Sequence, residues 1–416
     1  MGLIKVAVAL QLLLSISTAL PAGIAGLGKE ADAQSSTIYD AVIIGGGPAG
    51  LSALSGLARV RRNVLLIDSG EYRNDPTRHM HDVIGTDGVS PAFFRWKARG
   101  QLAYYESVSM VNGTVTKIDI ASTDSTSQAQ DEPFTIQAKF LTGEVATVGA
   151  KTVILATGLS DIIPNTPGLK ENWGKGIFWC PWCDGNEHAD QPLGILSDLN
   201  EAASLVQEIS TLNGDIVAFV NGTDTPEMSA ATDTKFPGWK QYLSLRNVTI
   251  ENRTIAGIER LADGGANAHP EAPTFPEHDL FRVDFTEGPS VQRAAFFASF
   301  PSKQHSSVGA DMGVRLDGGR LAADGARGLM TNIPGVYAIG DANADNVTNV
   351  PHAMFSGKRA AVFLHVALAR QETAALLASR NGTSLDERSL ALDPRAVWKE
   401  MNGGEADILD AGEFDQ

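Results

Sequence analysis

At 416 residues the chain is long enough for two or three domains with sizeable cores, and its 43% hydrophobic content is that of an ordinary globular protein. A formal charge of −16 favours solubility and argues against nucleic acid or an anionic membrane surface as partner. Two cysteines, three positions apart at Cys180 and Cys183, leave none for a structural disulfide framework.

The first residues read as a cleaved targeting segment over 1–33. Lys5 supplies positive charge, Val6 to Leu14 an apolar core, and small residues run from Ala19 to Ala33. The apolar run is too short to span a bilayer comfortably. Sequons at Asn112, Asn221, Asn247, Asn252, Asn346 and Asn381 agree with a secreted glycoprotein.

Ile38 to Ile44 has the pattern of a buried strand and runs into Gly45-Gly46-Gly47-Pro48-Ala49-Gly50, with a helix expected over Leu51 to Arg61. Gly45, Gly47 and Gly50 match a dinucleotide fingerprint: a tight turn, close approach of backbone to pyrophosphate, and close helix packing. Asn63 to Ile67 is a second strand, and Asp68 at its tip is placed for a ribose hydroxyl. Glu71 to Gly100, with His79 and His81, reads as a loop, either a cover for a cofactor or a surface excursion. Strands are expected over Val108 to Ile120, Phe134 to Val148 and Lys151 to Leu155, with a polar loop from Ser122 to Asp131. The last of these strands ends in Ala156-Thr157-Gly158, small enough for backbone to meet a cofactor.

A second domain is expected to begin between Asp161 and Gly168 and to carry Trp179-Cys180-Pro181-Trp182-Cys183-Asp184-Gly185. Two residues between cysteines put both sulfurs at the first turn of a helix, where amides stabilise a thiolate, and a loop this short gains little as a staple. The pair is therefore read as redox-active. A zinc site lacks ligands, since His188 alone lies near. Trp179 and Trp182 are either pocket walls or core. Pro192 to Leu196 and Leu199 to Thr211 are expected to form another strand and helix, but the turn Ser197-Asp198-Leu199-Asn200 lacks the later glycines and sets an acid where a pyrophosphate would lie. Thr223 to Lys240 and Ala262 to Glu277 read as loops. Ala294 to Phe300 is expected to return the chain to the first domain. Gly335 to Asp341 is a strand ending in Gly-Asp, and a helix starts near Pro351, with His352 in its first turn.

Gly45 to Gly50, Ala156 to Gly158, Cys180 to Gly185 and Gly340-Asp341, in that order, resemble the low-molecular-weight thioredoxin reductase family. The resemblance implies an α/β chain of two nucleotide-binding-type, three-layer domains. A discontinuous FAD domain (38–160 and 289–380) would be interrupted by a degenerate nicotinamide-type domain (161–288) and followed by a polar tail (381–416). It also implies a homodimer and FAD held by Gly45, Gly47, Pro48, Ala49, Gly50, Asp68, Val115, Ala156, Gly158, Gly340, Asp341, His352 and Ala353. The eroded second fingerprint and the targeting segment make the chain look like the flavin-dependent sulfhydryl oxidases within that family. In those, a thiol substrate reduces the disulfide and dioxygen takes the electrons. Cys180 is then the exchanging sulfur, Cys183 faces the flavin, and Asp184 or His352 moves the proton. Asp184 has a second reading as a helix cap, and His352 as a hydrogen-bond partner of flavin or backbone. The alternatives are an NADPH-dependent disulfide reductase and a non-catalytic flavin-bearing redox sensor.

Overall fold

The computed structural model describes residues 38–121, 133–267 and 272–381. The expected targeting segment, the polar run from Ser122 to Asp131 and the expected tail beyond Asn381 lie outside them. Short aliphatic runs bounded by Gly, Pro and Asp form strands buried on both faces, as parallel sheets require. The chain opens with β1 (Ile38–Tyr39), β2 (Ala41–Ile44), α1 (Pro48–Ala58) and β3 (Val64–Asp68). A helix the sequence reading missed follows, α2 (Pro91–Leu102), within the stretch expected to be loop. Its start signal is Ser90, whose hydroxyl accepts from the Phe93 amide, with Pro91 in the first turn. Its Phe93 and Trp96 stay exposed, so it shows no clean apolar stripe.

Next come β4 (Val108–Ile120), β5 (Phe134–Phe140), β6 (Val145–Ala150), β7 (Val153–Leu155) and the crossing strand β8 (Leu159–Asp161). The second lobe holds β9 (Ile177–Phe178), α3 (Pro181–Asp184), β10 (Leu193–Leu196), α4 (Leu199–Ile209) and β11 (Ile216–Phe219). Thr223 to Lys240 is not a loop: it contains α5 (Pro226–Lys235), started by the Thr225 hydroxyl, and the beginning of α6 (Trp239–Leu245). α5 is polar nearly all round, with Thr232 its buried residue, which hid it from periodicity. Strands β12 (Thr249–Glu251), β13 (Ile255–Ala262), β14 (Leu280–Phe285), β15 (Val291–Arg293) and β16 (Ala295–Ala298) complete this lobe. The expected return at Ala294 to Phe300 is corrected here. β16 sits inside the second sheet, paired in parallel with β10 and β9. An all-apolar run suits either sheet, so composition could not choose. The return comes one strand later at β17 (Ser302–Gln304), antiparallel to β8.

After β17 come α7 (Val308–Asp311), β18 (Leu316–Asp317), β19 (Arg320–Leu321), β20 (Val336–Ala338) and the long α8 (Val350–Asn381). The first sheet has the order β1-β6-β5-β4-β3-β2-β7-β20 and the second β12-β11-β10-β16-β9. β7 and β20 lie side by side although 183 positions separate their first residues, so the first lobe is discontinuous. Helix α8 is long and apolar enough to cross a bilayer by composition, yet Ala353, Ala360, Ala361, Leu364 and Leu368 are buried in one core cluster with α1. The helices approach closely because Gly357 leaves no Cβ, which would stand 2.2 Å from the Ala49 carbonyl oxygen.

Candidate active site

A cavity of about 350 Å³ opens where the first sheet's parallel strands end, which is where α/β sheets bind their ligands. Gly45, at φ +109°, turns the chain from β2 into α1. A Cβ there would stand 2.3 Å from the Ala156 carbonyl oxygen, and one at Gly50 would stand 2.0 Å from that of Gly45. Gly47 differs: a Cβ would meet nothing within 4 Å. α1 begins at Gly47 with no side-chain cap and no acid in its first turn, so its positive end faces open space. The Thr157 hydroxyl, on the same wall, is buried without a hydrogen-bond partner among the described residues.

Asp68 is 2% exposed and fully engaged. Its carboxylate accepts from the amides of Gly46 at 3.0 Å and Gly70 at 3.2 Å, from the Tyr72 hydroxyl at 2.5 Å and from Arg99 at 3.0 Å. It braces the glycine turn, and a ribose hydroxyl would have to replace Tyr72 or Arg99. Across the cavity, Asp341 accepts from Arg73 at 2.9 Å, while the same guanidinium grips Asp161 at 2.7 and 3.0 Å and lies 5.4 Å from the Trp179 ring. Burial pushes the Asp341 carboxyl above its usual range, against the pull of Arg73.

Cys180 and Cys183 form a disulfide across the first turn of α3, with Cα atoms 5.2 Å apart. Cys183 and Asp184 line the cavity; Cys180, 9% exposed, does not. Asp184 is 8% exposed, and burial first, then the neighbouring carboxylates of Glu187 and Glu277, push its carboxyl well above the ordinary range. Such a carboxyl keeps its proton to higher pH than an ordinary carboxylate, which suits it to proton transfer.

Comparison with known proteins places these features. Residues 39–206 match the family model described as pyridine nucleotide-disulphide oxidoreductase. A protein of Arthroderma benhamiae named probable thioredoxin reductase is 47% identical over 347 residues, covering 82% of this chain and 83% of the relative. The chain belongs to the thioredoxin-reductase-like pyridine nucleotide-disulphide oxidoreductases. The crystal structure of HlmI superposes with a TM-score of 0.67 at 26% identity, covering 83% of this chain and 98% of that one. A putative thioredoxin reductase TrxB from Bacillus anthracis superposes with 0.65 at 24%, covering 80% and 99%, a likeness of fold. Members of this thioredoxin-reductase-like family are FAD flavoproteins, and so is this enzyme. Its cavity fits the cofactor: the uncapped end of α1, the space beyond Gly47 and the orphaned Thr157 hydroxyl suit a pyrophosphate and its neighbours.

Of the residues expected at the flavin, Gly45, Gly47, Pro48, Ala49, Asp68, Val115, Ala156, Gly158, Gly340, Asp341 and Ala353 all line the cavity. Gly50 sits behind it, packed on Gly45. His352 is corrected. Its ring lines a separate cavity of about 300 Å³ and its Nε2 lies 2.7 Å from Asp345. What faces the flavin cavity from α8 is the helix start itself, where the Asn349 side chain caps the His352 amide at 2.8 Å. Sequence reasoning did not assign Arg73, Tyr72 or His305, which also line the site. Of the two tryptophans, Trp179 lines the cavity and stacks 5.1 Å from Trp173, whereas Trp182 is 69% exposed.

Proposed function

We propose that this flavoprotein is a secreted sulfhydryl oxidase, converting thiols such as glutathione or a small dithiol into disulfides while dioxygen becomes hydrogen peroxide. The observation that carries this reading is the turn between β10 and α4. In a working nicotinamide site the helix amides there receive a pyrophosphate. Here the Leu199 amide donates to the Thr223 hydroxyl at 3.0 Å, Asp198 stands at the helix start, and Glu201 adds negative charge in the first turn. Arg253, at the end of the neighbouring strand, is held bidentate by Glu251 at 2.9 and 2.6 Å and by the Glu287 and Pro289 carbonyls. Neither group is left for a dinucleotide phosphate.

A substrate thiolate attacks Cys180, breaking the Sγ–Sγ bond, and a second thiol resolves the mixed disulfide. Asp184 holds and passes the proton at Cys183. FAD, when bound, accepts the electron pair from the dithiol and delivers it to dioxygen. Arg73 spans the cavity and keeps Trp179 in its wall. Passage through the secretory route is supported by Asn112, Asn221, Asn247, Asn252 and Asn346, all exposed. The homodimer belongs to the same proposal, and sedimentation checks it.

The Arthroderma benhamiae relative's name favours a second reading, an NADPH-dependent disulfide reductase. Anaerobic addition of each reductant separates the two. The oxidase is bleached rapidly by dithiothreitol and hardly by NADPH, and the reductase the reverse. Cys180→Ser and Cys183→Ser are expected to retain FAD and lose thiol-dependent oxygen uptake; normal turnover in either would sink the assignment.

A further inference from the structure

Beside Asp184, the residue that follows Cys183, lies a second compartment of about 10 Å³, room for roughly one water. Its walls include Asp184, Glu187, His188, His79, His81 and Glu277. Asp184, His79 and His81 line both this chamber and the flavin cavity, so they form the partition between them.

Among the described residues one buried polar atom of these walls, His188 Nε2, lacks a hydrogen bond, while Glu187 accepts from the Thr274 hydroxyl and Glu277 from Arg78. His188 is 1% exposed. Its Nδ1 lies 2.9 Å from the Asp184 carbonyl oxygen, which can only accept, so that nitrogen carries a hydrogen. Its Nε2 has no hydrogen bond among the described residues, standing 3.5 Å from Asp279 and 3.9 Å from Glu277. On the outward side, His81 Nε2 lies 3.6 Å from Glu187 Oε1 and its Nδ1 lies 3.6 Å from Asp87, whose side chain is 39% exposed. These gaps are a few tenths of an ångström too long for direct hydrogen bonds and close with a small ring movement. A bound metal does not suit the cluster, because Arg78 already bonds both Glu277 and Asp279.

We propose that this chamber is the proton path of the cysteine pair: Asp184 exchanges a proton through the chamber water with Glu187 and His188, and His81 passes it to solvent at Asp87. The inference rests on the oxidase reading. In each turnover two substrate thiols transfer two protons to the opened pair as one disulfide breaks and another forms. When the pair closes again, its electron pair leaves toward dioxygen through FAD, and two protons must depart with it to complete hydrogen peroxide. Asp184, which opens onto both cavities, joins the pair to this path, and Glu187, His188 and His81 are its positioning residues.

The test uses FAD-loaded protein reduced anaerobically by dithiothreitol, following flavin bleaching and trapping free thiols by alkylation in parallel. His81→Ala is expected to slow both about tenfold, less than the roughly 10²–10⁴-fold of a group acting directly on the reacting atoms, because the ring acts through Asp184. Added imidazole should restore the rate by taking the place of the lost ring. Glu187→Gln, nearly isosteric, should slow both signals equally without imidazole rescue. Parent rates in both variants, or a His81→Ala defect that imidazole leaves untouched, would overturn the path; a purely structural role predicts the second. Stoichiometric zinc that disappears in His188→Gln would also overturn it, in favour of a metal site. Bleaching of the parent protein by NADPH but not by dithiothreitol would instead defeat the oxidase reading. His81→Ala would then be compared with the parent in NADPH-driven opening of the disulfide, where absence of imidazole rescue would defeat the path.

Discussion

Asp184 is the residue whose chemistry depends most on its surroundings. Its raised carboxyl means that the folded protein keeps a proton over a range in which the unfolded chain has released it. The sign follows from linkage: this contribution to stability is whole below the ordinary carboxylate range and is lost as pH climbs toward the raised native value. Asp184→Asn has no proton to lose. The variant's melting temperature is therefore expected to gain on the parent's as pH goes from about 4 to about 8. A difference that stays flat with pH would show the carboxyl ionised in the native state. The same variant should lose most thiol-driven bleaching.

At the scale of the element, the turn from β2 into α1 separates folding from binding within four residues. A methyl at Gly50 would meet the Gly45 carbonyl oxygen at 2.0 Å, and backbone yields little. Gly50→Ala is expected to destabilise the apoprotein by roughly 1–3 kcal/mol. A methyl at Gly47 meets nothing, so Gly47→Ala should change apoprotein stability by no more than about 1 kcal/mol. It should nevertheless weaken FAD binding, because the methyl occupies the space of the approaching pyrophosphate. Denaturant unfolding of both apoproteins, paired with FAD titration, checks the contrast. Equal FAD affinity in Gly47→Ala and the parent would place the pyrophosphate elsewhere.

Over the whole molecule, Arg78 ties the loop after β3 to the second lobe. Its guanidinium bonds Asp263, Glu277 and Asp279, and the Asp279 side chain is fully buried. Burial pushes the Asp279 carboxyl up, but Arg78 and the His188 ring 3.5 Å away outweigh it and hold the carboxyl far below the usual range. Removing the cation leaves buried carboxylates unpaired, so Arg78→Met is expected to cost roughly 3–5 kcal/mol. Thermal unfolding and limited proteolysis of residues 71–90 would register it. A variant as stable as the parent would show that the two lobes are held by other contacts.

Much of the fold was legible locally. The aliphatic runs, the glycines at 45, 47 and 50, the cysteine spacing and the Gly340-Asp341 strand end specify backbone shape within a few residues, and local sequence governs exactly that. Helices α2 and α5 were overlooked although their Ser-Pro and Thr-Pro starts were present, because neither shows an apolar stripe. β16 was assigned to the wrong sheet because burial on both faces reads alike in either. Side-chain direction was beyond reach. His352 was correctly expected in the first turn of α8, but its ring turns toward Asp345, away from the flavin cavity. Arg73 looked like one loop arginine until folding brought Asp161 and Asp341, 88 and 268 positions away, to its two edges. By itself the sequence determined the chain's family, the spacing of its cysteine pair and the missing later glycines of its second nucleotide-type turn, since each depends on neighbouring residues. Tertiary structure alone decided which polar groups meet beside Asp184, because those partners come from three distant segments and only packing brings them together.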